Sequence, residues 1–109
     1  MEKQGITRKF VMQTDSGELD IYLVKNEKYI DVRISKLGSE MTVYNVLINV
    51  CNRAIECGCN VETIAETLAY HRFPPSGWVF SDGLQPFVAA SIPDLIGRFL
   101  KGDLVKLEE

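Results

Sequence analysis

Polar and apolar residues alternate one by one through the first third of the chain. From Ile6 to Gln13, Phe10 and Met12 share one parity and Val11 the other, and the run ends at the turn signal Asp15-Ser16-Gly17. Leu19, Ile21 and Leu23 then alternate with Asp20, Tyr22 and Val24. After a polar break from Lys25 to Lys28, Ile30, Val32 and Ile34 face one way while Asp31 and Arg33 face the other. Period two marks half-buried strands, and the short connections make them antiparallel neighbours. The pattern predicts a three-stranded antiparallel sheet over about residues 6–35.

The period changes at Val43. Val43, Val46, Leu47, Val50, Cys51, Ala54 and Ile55 recur at helical spacing, with Ser39 as a candidate N-cap, Glu40 in the first turn and Gly58 just past the end. This predicts a helix over about 41–57. Tyr44 and Ile48 widen its apolar stripe beyond what three strands can cover. The expectation is therefore a homo-oligomer, a dimer or a trimer of dimers, joined through the Tyr44 and Ile48 helix face. A second helix, about 61–71, starts at the cap Asn60 and buries Val61, Ile64, Ala65, Leu68 and Ala69. It must stop before Pro74-Pro75, where rings and missing N–H groups forbid it. A third, about 92–101, follows Ser91-Ile92-Pro93-Asp94, a capping-box spacing with Asp as the acid, and buries Ile92, Leu95, Ile96, Phe99 and Leu100. Leu104, Val105 and Leu107 are placed to dock on a neighbouring element. The fold class is α+β: an N-terminal three-stranded antiparallel sheet packed on two to three C-terminal helices, in a single domain spanning 1–109.

Between the second and third helices lies a Pro- and Gly-rich stretch, HRFPPSGWVFSDGLQPFVAA, read as a loop. Its Phe73, Trp78 and Phe80 can stack on a base, an interaction worth about 1–3 kcal/mol per base in nucleic-acid binders. Arg72, Arg98, Arg53 and Lys101 can meet phosphates, the arginines in two-pronged geometry. Ser91 opens a helix whose first amides suit an anion, although Asp94 opposes one there. For Trp78 and Phe80 the other reading is a plug in the core beneath a long loop. For Arg98 it is a solvated charge on the polar side of its helix.

Catalysis finds little support. The single histidine, His71, has no serine or cysteine at a recognisable nucleophile spacing, so no catalytic residue is assigned and the chain is not expected to be an enzyme. Cys57-Gly58-Cys59 with Cys51 lacks a fourth ligand for structural zinc, and Cys51 sits on an apolar helix face. No metal site and no cofactor are expected. Neither phosphate-loop nor dinucleotide fingerprint is present.

Composition adds bounds to this picture. The 109 residues are 46% hydrophobic and 25% charged, as in average globular proteins. A net charge of −3 argues against long nucleic acid as a partner. No apolar run matches a membrane span, no signal-peptide core is visible, and three cysteines make no secreted disulfide framework. The expected location is cytoplasmic, in the host cell if the chain is phage-encoded.

From Tyr29 onward the chain resembles the TSCPD-type domain found near the C-terminus of vitamin-B12-dependent (class II) ribonucleotide reductases and in small standalone proteins. The resemblance is carried by YIDVRISKLGSEM, CGCNVETIAETLA, RFPPSGW and ASIPDLIGRFL in that order, about two-thirds of the chain. The family's signature cysteine position holds Ile92 here, so a cysteine-dependent role does not carry over. More loosely, in size and architecture, the chain is similar to phage Thoeris anti-defence sponge proteins of the first type. That likeness implies a non-enzymatic oligomer that sequesters small nucleotide immune signals, cyclic ADP-ribose isomers or cyclic oligonucleotides. The alternative it leaves open is a standalone regulatory or assembly module partnering a ribonucleotide reductase.

Overall fold

The computed structural model describes residues 6–26 and 28–104. Among these, strands β1 (Ile6–Thr14), β2 (Gly17–Lys25) and β3 (Ile30–Ile34) follow the alternating pattern. A short 3₁₀ turn at Gly38–Glu40 leads into α1 (Met41–Glu56), then α2 (Val61–Leu68), β4 (Gly77–Phe80), β5 (Phe87–Ala89) and α3 (Ile92–Lys101). The sheet is antiparallel throughout, in the order β3-β2-β1-β4-β5.

The first hairpin closes tightly because Thr14 pairs with Gly17 across a two-residue turn. The Thr14 hydroxyl donates to the Gly17 carbonyl and accepts from the Ser16 amide. Between β2 and β3, the Asn26 side chain accepts from the amides of Lys28 and Tyr29, a local Asx turn. One face of the sheet is dry. Phe10, Met12, Leu19, Ile21, Leu23, Ile30, Val32, Ile34 and Val79 are all buried there, in one core with the three helices. The parity read from the sequence is the parity that the fold buries.

Three expectations are corrected. The sheet has five strands rather than three, because Gly77–Phe80 and Phe87–Ala89, read as loop, extend it as β4, paired with β1, and β5, paired with β4. With four and three residues, they are too short to show alternation, and the partner of β4, β1, is more than sixty residues away in sequence. The second helix ends at Leu68 rather than near 71. Ala69 turns extended and Tyr70 takes a left-handed conformation (φ 70°), its amide held by Asp94 Oδ1 at 2.6 Å. Ser39 does not cap α1; it lies inside the 3₁₀ turn, and no side chain caps that helix.

The faces of α1 also differ from expectation. Tyr44 and Ile48, assigned to a partner subunit, are buried in the chain's own core with Cys51. Val43, Val46 and Val50 are instead exposed, at 65%, 56% and 61%. Both sets satisfy helical periodicity, and the stripe spans most of the helix circumference. Only the position of β3 decides which part goes inward. Asn60 and Ser91 do cap their helices, accepting from the amides of Thr63 (2.8 Å) and Asp94 (3.0 Å). Gly58 (φ 100°) ends α1 as expected. Leu104 packs against the core, while Val105 and Leu107 lie outside the described residues.

Candidate functional site

The strand β4 turns Val79 into the core and presents Trp78 and Phe80 on the opposite face. Among the described residues no helix covers that face. Trp78 lies between Gln13 of β1 and Val88 of β5, and Phe80 lies across from Val11. Trp78 is 52% exposed and Phe80 39%, so neither plugs the core. The outward parity of β1 and β2 adds Lys9 and Tyr22, which are cross-strand partners; the Lys9 ammonium sits 5.8 Å from the centre of the Tyr22 ring.

Beside Phe80 the chain peels away from β1 and leaves a cleft of about 590 Å³ lined by Thr7, Arg8, Lys9, Val11, Phe80, Ser81 and Asp82. Its wall is tied down. Arg8 donates to the Asp82 carbonyl (2.6 Å) and to the Ser81 hydroxyl (3.3 Å), and that hydroxyl donates to the Lys9 carbonyl (2.6 Å). The cleft therefore combines an aromatic wall, a cation and a strand edge. Such a surface can stack a planar ring and neutralise a nearby anion.

The other expected residues are elsewhere. Arg98 and Lys101 flank the exposed Tyr70, 6.0 and 5.8 Å from its ring centre, and Arg98 stacks on Phe87 at 4.6 Å. Arg98 is already engaged: it donates to the Val88 carbonyl (3.0 Å) and pairs with Asp94 (3.5 Å). Asp94 is almost wholly buried and also accepts from the amides of Tyr70 and Ala90, so it ties the entry of α3 to the exit of α2. Ser91 is buried and its hydroxyl is spent on its cap. Arg53 is on an exposed flank of α1, paired with Glu56 at 3.7 Å. Arg72 and Phe73 are exposed in the segment before Pro74-Pro75, with the Phe73 amide bonded to Ala90. The eight candidates do not form one pocket.

Lys9, Val11, Tyr22 and Thr7 lie outside the candidates that residue type alone suggests. Their outward parity was visible in the alternation. What was missing was the docking of β4 against β1, which places them beside Phe80. His71 is exposed and its Nε2 lies 2.7 Å from the Thr67 carbonyl, a helix-end bond. Burial pushes the Cys51 thiol above its ordinary range, with a smaller push from Cys59, so Cys51 behaves as a small apolar group. Among the described residues no three His, Cys, Asp or Glu side chains are grouped as metal ligands, and no helix is long and apolar enough to cross a membrane. Comparison with family models, curated proteins and solved structures found no match.

Proposed function

We propose that the protein is a non-enzymatic binder of a small, flat, anionic ligand of the nucleotide class, held on the open face of the sheet. The observation that carries this reading is the exposed pair Trp78 and Phe80 on that face, with Phe80 lining a cleft that also holds Lys9. An uncovered sheet with outward aromatics is a general platform for stacking bases. The resemblance to sponge proteins narrows the ligand to cyclic ADP-ribose isomers or cyclic oligonucleotides, and the role to sequestration by an oligomer. Calorimetric titration with these compounds tests it. Binding at low micromolar concentration or tighter, lost in Trp78→Ala, is the expected result; no heat at tens of micromolar overturns it. Ligand recovered intact after heat denaturation separates sequestration from hydrolysis.

A second reading, a regulatory or assembly module for a ribonucleotide reductase, is favoured by the uncovered row Val43, Val46 and Val50 on α1. It predicts co-purification with a reductase subunit and no affinity for free cyclic nucleotides.

A further inference from the structure

Among the described residues β3 is an edge of the sheet, and one of its backbone positions is already met by a substitute for a neighbouring strand. The Ile30 amide donates to Asn52 Oδ1 (2.8 Å), and Asn52 Nδ2 donates back to the Ile30 carbonyl (2.9 Å). That two-bond exchange is what a hydrogen-bonded residue of an antiparallel partner would make. Alternation along the strand then directs the polar groups of Val32 and Ile34 outward on the same side as those of Ile30. Alongside them a groove of about 410 Å³ opens between β3 and the start of α1, lined by Asp31, Val32, Arg33, Ile34, Met41 and Asn45.

The strand reads Ile30-Asp31-Val32-Arg33-Ile34, and it is complementary to itself. Placed antiparallel to a second copy about Val32, Asp31 falls opposite Arg33 of the copy and Arg33 opposite its Asp31. Ile30 falls opposite Ile34, and Val32 opposite Val32. A twofold axis normal to the sheet keeps each residue on its own face, so both charge pairs form on the open face. There, in non-hydrogen-bonded positions, side chains are closest. Sliding the copies by two residues either way sets Asp31 opposite Asp31 or Arg33 opposite Arg33.

We infer that β3 is the edge through which two copies of this chain pair, with Asn52 standing in for the second strand until it arrives. On pairing, the outward groups of Ile30, Val32 and Ile34 exchange bonds with those of the copy. Asn52 releases Ile30, and Asp31 releases the Val32 amide to which it is bonded at 2.9 Å. The result is a continuous ten-stranded sheet from two five-stranded ones. This pairing supplies the subunit contact that an oligomeric binder requires, but it stands on β3 alone and is independent of any ligand.

Sedimentation equilibrium of the full chain from 10 µM upward to about 500 µM tests it, with circular dichroism to confirm folding of each variant. The expected result is a monomer–dimer equilibrium. Arg33→Asp, which sets like charges opposite each other twice, weakens it by ~tenfold or more. The double charge swap D31R/R33D restores it, and Asn52→Ala, which empties the competing position, strengthens it. A dimer indifferent to Arg33→Asp, a double swap that fails to restore pairing, or monomers at every concentration in both the native chain and Asn52→Ala overturns the inference. Trp78→Ala leaves the β3 edge intact, so loss of ligand binding there with an unchanged dimer separates the two readings.

Discussion

Two regions of this molecule carry the same chemistry, aromatic rings beside cations, and use it differently. Around α3, Arg98 lies over Phe87, bonds the Val88 carbonyl and pairs with the buried Asp94. On the open face, Trp78 and Phe80 stand half in solvent, and Phe80 shares its cleft with Lys9. The first group spends its donors and rings on holding α2, β5 and α3 together. The second spends little on the fold, because Val79 between them does the packing. An arginine near aromatics therefore points to binding only when its donors are not committed to the backbone.

The sharpest way to break the comparison is Asp94→Ala. It strands two amides and a half-buried guanidinium, and should cost about 3–5 kcal/mol in chemical denaturation. Gly97→Ala comes next. A methyl there would approach the Ala65 carbonyl oxygen at 2.6 Å and the Ala69 nitrogen at 2.7 Å, so α2 and α3 must separate. The expected loss is about 1–3 kcal/mol, read as a lower melting temperature. Arg98→Ala should cost about 1.5–3 kcal/mol through its carbonyl bond, ion pair and ring stack, while altering ligand affinity only as far as the fold loosens. Trp78→Ala and Phe80→Ala should each cost only about 1 kcal/mol, through lost cross-strand packing, yet abolish ligand binding by calorimetry. If Trp78→Ala instead destabilises as much as Asp94→Ala, the contrast between a structural and an idle aromatic group is wrong.

Much of the frame could be read in advance because it is local. Alternation placed β1, β2 and β3, and side-chain caps placed the starts of α2 and α3 at Asn60 and Ser91. The inward face of α1 could not be chosen, since its apolar stripe covers more than half of the circumference and only tertiary contact with β3 selects Tyr44 and Ile48. For the site, residue type identified Trp78 and Phe80 but could not gather them with Lys9 and Tyr22, which join only when β4 pairs with β1. It also counted Arg98 and Ser91 as open to a ligand, because their commitments to Val88, Asp94 and the helix amides are set by the fold.

Gly77, at the start of β4, lies so close to β1 that a Cβ there would collide with the Gln13 carbonyl, and its φ of 153° disfavours a side chain as well. The residue that sets the height and register of the aromatic pair is therefore closed to substitution, whereas the pair itself is free to vary at little cost to folding. Such a strand works like a socket with interchangeable fittings. A lineage under pressure to recognise a new ligand can exchange the rings at Trp78 and Phe80 one at a time while the sheet beneath them is inherited unchanged.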